Sequence, residues 1–319
     1  MLDRGSELDA FKREICLVEY ALGKGYAVDR RASSRSSVVL TDPGGDKVVV
    51  ARAPDGHWVF FSVRDDQDNG TIIDFVQRRT GLSLGEIRRE LRPWLGRPPS
   101  PALPQHPPFW LELTPVSKDR LLVQARLEGM AVATSHQYLE RERAIPRDVL
   151  AHARFVGQVR SDSNRNAVFP HWEDGAVCGF ELKNRGFTGF AANGEKALWL
   201  SHAFEADDTL VVTESAIDAL SHFAIHRPAS ARYASIAGSM NRAQPKLLAH
   251  EASQLRPNSA VIIATDNDAG GDRLAACIRE ALLPCPIRVV EDRPVVRDQD
   301  WNDVLRGSRP EGFPAVPKT

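Results

Sequence analysis

Two apolar runs near the C-terminus, each ending on a carboxylate, constrain this chain more than any other feature. TLVVT (209–213) runs into Glu214, and SAVIIAT (259–265) runs into Asp266. Short continuous runs of this kind, rich in β-branched residues, suit strands buried on both faces. Helical patterns separate and follow them: SAIDALSHFAIH, AQPKLLAHEASQL and DAGGDRLAACIREAL. Two further strand-like runs, RYASIAG and PIRVVE (286–291), complete the alternation. Apolar strands alternating with helices predict βαβ units and a parallel sheet. Ligands of such sheets bind beyond the carboxyl ends of the strands. Glu214 and Asp266 both stand at such ends, so the pattern alone directs them to one crevice.

The surrounding acidic residues extend that set. Asp266-Asn267-Asp268 places two carboxylates on a chain leaving a strand, Asp218 lies one helical turn after Glu214, and Asp298, Asp300 and Asp303 cluster downstream. Crowded carboxylates repel one another unless a cation neutralises them. Mg²⁺ accepts a few carboxylates together with water and phosphate oxygens. A metal site is therefore one reading of the group. The other is that Asp266 and Asp268 cap the following helix, with Gly270 and Gly271 giving the turn.

Length, composition and charge set the outer limits. The chain has 319 residues, enough for two or three domains, with 42% hydrophobic and 26% charged residues. No run approaches the ~18 apolar residues of a membrane span. The N-terminal MLDRGSELDAFKREI is charged and lacks the apolar centre of a secretory signal, so a cytoplasmic protein with no membrane partner is expected. Cys16, Cys178, Cys277 and Cys285 are scattered and form no C-x-x-C pair, which signals neither zinc nor disulfides. The formal net charge of −1 gives no sign of nucleic-acid binding. Its distribution is more informative: Arg78, Arg79, Arg88, Arg89, Arg92 and Arg97 face only Glu86 and Glu90 within 78–97. That stretch is either a phosphate-neutralising face or an ordinary solvated helix face.

Upstream, residues 7–25 carry a helical stripe of Leu8, Phe11, Ile15, Val18 and Leu22, stopped by Gly23 and Gly25. SVVL (37–40), KVVVAR (47–52) and HWVFFSV (57–63) read as strands separated by turns. TIIDFVQRRTG and SLGEIRRELRPWL read as helices, the second with Ser83 and Glu86 at capping-box spacing. A small core of Trp58, Phe60, Ile72, Phe75 and Trp94 is expected. GRPPSPALPQHPP (96–108) reads as an extended linker. Residues 117–155 look helical, with breaks at Gly129 and Ile145–Pro146. FVGQV, AVFPHW, AVCGFEL, FTGFA and ALWLS within 155–201 read as short, mostly antiparallel strands.

VVTESAIDALS, ATDNDAGGDRLA and DQDWNDVL, in that order, resemble the Toprim domain of DnaG-type primases, topoisomerases and related nucleases. The Toprim pattern is a glutamate after one strand and a D-x-D after a later one, here Glu214, Asp266 and Asp268. The later acidic motif matches at Asp300, followed by Trp301, Asn302 and Asp303. YLERERAIPRDVL, NAVFPHWEDGAVCGFELKNRGFTGF and EKALWLS resemble the part of a primase core that precedes Toprim. There, basic residues face template and nucleotides; the matching positions are Lys183, Arg185 and Lys196. DGHWVFFSVRDDQDNGTIIDFV resembles the zinc-binding N-terminal domain of those primases but has no cysteine, and His57 alone cannot hold structural zinc.

The resemblance implies an α/β protein: a C-terminal Toprim domain with a Rossmann-like parallel sheet (206–306), preceded by a mixed α+β primase-like subdomain (111–205). A Pro-rich linker (96–110) would join these to a zinc-ribbon-like α+β domain without zinc ligands (1–95), and 307–319 would be a flexible tail. It is similar to Toprim proteins of bacterial mobile elements. What it implies of the site is Mg²⁺, with Mn²⁺ as a substitute and no zinc, held by Glu214, Asp266, Asp268 and Asp300. Glu214, Asp266 and Asp268 would be catalytic, with Asp218, Asn267 and Asp303 in support and Asp298 less closely involved. The implied activity is primer synthesis from NTPs on single-stranded DNA for plasmid or mobile-element replication or transfer. A Toprim nuclease and a catalytically weak nucleic-acid-binding accessory protein are the alternatives. No G-x-x-x-x-G-K-[ST] motif is present, so a separate helicase or relaxase is the expected partner.

Overall fold

The computed structural model describes residues 4–34, 36–63, 68–96, 110, 113 and 117–308. Most of the expected linker and nearly all of the expected tail fall outside these residues. The chain forms two compact units, residues 1–117 and 118–319. Among the described residues no helix is long and apolar enough to cross a membrane.

In the first unit, α1 (Arg4–Glu14) and α2 (Leu17–Gly23) precede an antiparallel meander. Its strands are β1 (Ala27–Val28), β2 (Ser37–Thr41), β3 (Lys47–Arg52), β4 (Trp58–Ser62) and β5 (Asn69–Thr71), paired in sequence order. α3 (Ile72–Thr80) and α4 (Leu84–Leu91) follow. Period-two alternation puts Val38, Leu40, Val48, Val50, Trp58 and Phe60 on the buried side of the sheet. The single helix expected over 7–25 is instead two helices, broken at Cys16. Leu17, Tyr20 and Ala21 lie off the stripe of Phe11, Ile15 and Val18, yet all six are buried, and the bend brings both sets into one core. Both helix starts after the meander carry capping boxes, Thr71 with Asp74 and Ser83 with Glu86.

Trp110 and Leu113 are buried in this same core, so the unit extends beyond 95. Of the six arginines named from sequence, Arg97 lies outside the described residues, and Arg79, Arg88 and Arg92 are neutralised within the unit. Arg79 bonds Asp46 at 2.7 Å and Asp68 at 2.8 Å, while Arg88 and Arg92 pair with Glu7 at 3.4 and 2.7 Å. These three arginines are committed to internal pairing rather than to an open phosphate-binding face. His57 sits between carboxylates, its Nε2 3.0 Å from Asp9 and its Nδ1 3.1 Å from Asp55.

The second unit is built on one mixed sheet. α5 (Arg120–Glu128), β6 (Ala131–Val132), α6 (Gln137–Arg141) and α7 (Arg147–Leu150) lead into β7 (Arg160–Ser161), β8 (Ala167–Glu173), β9 (Ala176–Asn184), β10 (Phe187–Phe190) and β11 (Leu198–Leu200). The expected long helical region is therefore three short helices, with a further break where β6 leaves to pair with β7. FVGQV is a turn with one isolated bridge, Val156 to Val159, rather than a strand.

The alternating half contains β12 (Thr209–Thr213), α8 (Ala216–His226), β13 (Ala231–Ser235), α9 (Gln244–Ser253), β14 (Ala260–Ala264), α10 (Ala269–Leu282), β15 (Arg288–Glu291) and α11 (Trp301–Gly307). The strand order is β10-β9-β8-β11-β13-β12-β14-β15, with the last four parallel. β11 pairs antiparallel with both β8 and β13, so the sheet runs unbroken across position 205. A buried, bidentate Arg154–Asp207 pair at 2.7 and 2.9 Å also spans that position. The two expected C-terminal segments are thus halves of one unit.

Alternate residues of β12 serve opposite layers. Val211 packs with Ala219, Leu220 and Phe223 of α8 and with Trp301 of α11, whereas Leu210 and Val212 pack with Leu248 of α9 and Leu274 and Ile278 of α10. From β12 the chain crosses on one face to β13. From the adjacent β14 it crosses on the other face to β15. The β12/β14 boundary is therefore a topological switch point, where two departing loops leave a crevice.

The first unit is held by its apolar core and internal ion pairs. Chelation of the full chain with EDTA should leave amide hydrogen-exchange protection over residues 11–91 unchanged. Loss of protection there on chelation would show that a bound metal supports this unit.

Candidate active site

The parallel register pairs Thr213 with Ala264, which sets Glu214 and Asp266 at the mouth of the switch-point crevice. The backbone there is tightly fixed. The Glu214 carbonyl accepts from Gly238 N–H at 2.9 Å and from Ser235 Oγ at 3.2 Å. Thr213 Oγ1 donates to the Ser215 carbonyl at 2.9 Å. Asp218, buried in the first turn of α8, accepts a 2.5 Å bond from Ser215 Oγ.

On the β14 side, the Asp266 carbonyl accepts from the guanidinium of Arg293, whose Nε lies 3.2 Å away and whose Nη2 also donates. Asp268 caps α10, its Oδ1 accepting from Gly271 N–H at 2.7 Å. The capping role that the sequence left open is therefore real for Asp268, and its second oxygen is not used in that cap. Asp266 does not cap. Its Oδ1 is buried and has no hydrogen-bond partner among the described residues.

Gly271 makes this turn possible. A Cβ there would lie 2.0 Å from the Asp266 carbonyl oxygen. The glycine cannot retreat easily, because its own carbonyl accepts from Thr265 Oγ1 at 3.1 Å.

Asn267 joins the third acidic segment to the first two. Its N–H donates to the Gln299 carbonyl at 3.0 Å, its carbonyl accepts from Asp298 N–H at 2.7 Å, and its Nδ2 donates to the Pro294 carbonyl at 2.9 Å. This double backbone bridge draws 298–300 against the D-x-D turn. Asp298 takes a left-handed conformation, φ 62°, and its side chain is 82% exposed, so it serves the bridge through its backbone. Asp300 caps α11, accepting from Asp303 N–H at 2.5 Å. Asp303 itself lies 3.7 Å from Arg306.

The electrostatics record the crowding. Burial first, then the charges of Asp218, Glu214, Asp300 and Asp268, push the Asp266 carboxyl up to about 9. Burial, then Asp300 and Glu214, raises Asp218 to about 7 against the opposing bond from Ser215. Burial also raises Asp300, opposed by the Asp303 N–H and by the charge of Arg143. Glu214, Asp218, Asp266, Asp268 and Asp300 thus share one electrostatic neighbourhood. An all-oxygen set with a buried, unpartnered carboxylate atom fits a hard divalent cation such as Mg²⁺.

The basic residues named from sequence lie in pairings of their own. Lys183 is 2.7 Å from Glu181, exposed Arg185 is 3.0 Å from Glu142, and Lys196 Nζ donates to the Ser239 carbonyl at 2.6 Å. The sequence reading missed Arg143, Arg293 and Arg297. Arg297 bonds Asn267 Oδ1 at 3.2 Å and Asp272 at 3.1 Å. Asn302 is buried, donating to the Arg143 carbonyl at 2.6 Å and to Ser221 Oγ at 3.0 Å. Arginines just beyond a terminal strand would have been the signal for Arg293 and Arg297. Arg143 had none, because it arrives from a distant segment.

Residues 211–305 match the family model described as Toprim-like, and residues 137–207 match one described as a protein of unknown function (DUF3991). The expectation of a Toprim-type domain in the C-terminal third is thereby met. No curated protein matches the chain significantly. Among solved structures the chain is similar to the Aquifex aeolicus primase (zinc-binding and RNA polymerase domains) at 15% identity and TM-score 0.41, over 95% of this chain and 82% of that one. It is also similar to the primase fragment of the bacteriophage T7 primase-helicase protein, at 16% identity and TM-score 0.42, over 81% and 89%.

The raised Asp266 carboxyl has a definite sign in folding. Its contribution to stability is fully present below about pH 4 and is lost as pH rises through about 9 in the metal-free protein. A cation needs the ionised form, so Mg²⁺ should raise the melting temperature more at about pH 8 than at about pH 5. Asp266→Asn should raise the metal-free melting temperature by about 2–8 °C at the higher pH and abolish the Mg²⁺ effect. Differential scanning calorimetry reads both; an undiminished Mg²⁺ effect in Asp266→Asn would place the cation elsewhere. Separately, Gly271→Ala should cost about 3 kcal/mol in urea unfolding, whereas Gly270→Ala should cost about 1 kcal/mol or less.

Proposed function

We propose that this chain is a Mg²⁺-dependent nucleotidyltransferase that makes short primers from NTPs on single-stranded DNA, in the service of plasmid or other mobile-element replication. The observation that carries the reading is the convergence of Glu214, Asp218, Asp266, Asp268 and Asp300 at the switch point, with Asp266 Oδ1 buried and unpartnered. Asp266, Asp268 and Asp300 would hold the cation, with Glu214 touching it directly or through water. Bound there, Mg²⁺ would supply positive charge against triphosphate oxygens and against charge developing at the attacked phosphorus.

The chain's own residues would do the rest. Glu214, its backbone fixed by Gly238 and Ser235, would take the proton of the 3′-hydroxyl that attacks the α-phosphorus of an NTP, the α–β phosphoanhydride bond breaking as pyrophosphate leaves. Asp218 would hold Ser215 and the start of α8 in place. Lys196 is bonded to the carbonyl of Ser239, next to the glycine that anchors Glu214, which suits it to phosphates entering the crevice. Arg185 and Lys183 would exchange their carboxylate partners for template phosphates. Exposed ion pairs are worth about 0–1 kcal/mol, so that exchange costs little for Arg185.

Synthesis is favoured over cleavage by the primase-like segments upstream, YLERERAIPRDVL and NAVFPHWEDGAVCGFELKNRGFTGF. A separate helicase or relaxase would supply the single strand. Labelled NTPs on a mixed-sequence single-stranded DNA, with Mg²⁺ or Mn²⁺, should give short RNA. Asp266→Asn should lower its yield at least about 100-fold. Absence of product with both metals would sink the primase reading. In a parallel incubation, cleavage of labelled DNA would instead establish a Toprim nuclease, and binding without turnover an accessory protein.

A further inference from the structure

A second cluster of ligating side chains uses none of the carboxylates named so far. His222 and His226 stand four residues apart on α8 and therefore share one face of the helix. Asp292 follows β15 directly, its N–H bonded to the Ile263 carbonyl at 3.0 Å. His222 Nε2 is 3.1 Å and His226 Nε2 3.7 Å from Asp292 Oδ2, and one ligand atom from each of the three residues falls within 4.8 Å of the others. Donors around a tetrahedral zinc ion stand about 3.3 Å apart, given metal–ligand bonds of about 2.0–2.1 Å. Two of the three separations are already near that value.

We propose that His222, His226 and Asp292 form a binding site for one divalent transition-metal ion of the zinc class. Imidazole donors select Zn²⁺, Co²⁺ or Ni²⁺ over Mg²⁺, which prefers oxygen alone. The surroundings of His222 suit the role. Its Nδ1 lies 3.0 Å from the Tyr233 hydroxyl in a buried setting. In the metal-free chain, Nε2–H can donate to Asp292 while Nδ1 accepts from Tyr233. With the proton on Nδ1 and donated to the Tyr233 oxygen, Nε2 presents its lone pair to the ion, the arrangement that orients metal-bound histidines.

The other side of the site is open. His226 and Asp292 are 39% and 40% exposed, so water can complete the coordination. The ion would tie the C-terminal half of α8 to the residue just beyond β15. Trp301 packs edge-on to both rings, at 4.8 and 5.2 Å, immediately after Asp300. The site would therefore brace the helix that carries Asp218 and the segment that carries Asp300. This inference does not rest on the proposed activity.

The test is zinc titration of the EDTA-stripped full chain by calorimetry, with Mg²⁺ held in excess to occupy the carboxylate set, and Co²⁺ absorption as a second readout. Wild type and the surface control His250→Ala should each bind one Zn²⁺ per chain. His226→Ala and Asp292→Asn should bind it at least about 10-fold more weakly and lose the Co²⁺ spectrum. No zinc binding by wild type, or equal binding by all four proteins, would overturn the proposal. Because His226 and Asp292 are both partly exposed, neither variant threatens the fold, and circular dichroism would verify that.

Discussion

The parallel pairing of β12 with β14 governs the rest of the C-terminal unit. These two strands are buried on both faces, and their connections leave in opposite directions on opposite faces of the sheet. A crevice must open between the departing loops, and whatever follows each strand must face it. In this chain glutamate follows one and aspartate the other. The apolar order of the sheet therefore concentrates negative charge where burial makes it costly. That conflict is visible in the raised Asp266, Asp218 and Asp300 carboxyls. A hard cation held there would resolve it.

Holding such a group together requires restraint from the backbone, since the side chains repel. Three devices supply it. Gly271 lets α10 start against the Asp266 carbonyl, and Arg293 binds that same carbonyl. Asn267 clasps the 298–299 backbone and brings Asp300 in. Asn302 ties α11 to the Arg143 carbonyl and to Ser221 of α8. None of these bonds uses a carboxylate oxygen of Glu214 or Asp266.

The strand ends were legible from sequence because continuous apolar runs leave little choice of element, and the position of Glu214 and Asp266 followed from that. The capping of α10 by Asp268 was legible as an alternative but not decidable, since a D-x-D before a glycine pair satisfies both readings. Asn267 was singled out for its place in the motif, yet its function is to pair backbones more than thirty residues apart, which no local pattern encodes. The split of α1 from α2 escaped for a similar reason: two overlapping apolar stripes look like one helix until a common core demands both. The arginines of 78–92 could be read as a phosphate-neutralising face or a solvated helix face because the partners of Arg79, Arg88 and Arg92, namely Glu7, Asp46 and Asp68, come from elsewhere in the unit. Likewise the His222, His226 and Asp292 group joins a helix to a strand end seventy residues away and has no sequence signature beyond the i, i+4 histidines.

As proposed, Glu214, Asp266, Asp268 and Asp300 would form one cation-holding centre at the β12/β14 switch point. Anomalous diffraction from crystals of the full chain soaked in Mn²⁺ tests it most directly. The expected result is a manganese peak bounded by the carboxylates of Asp266 and Asp268, with Glu214 and Asp300 beside it, that disappears in Asp266→Asn. A peak confined to other acidic residues, or none at the switch point with manganese in excess, would contradict it.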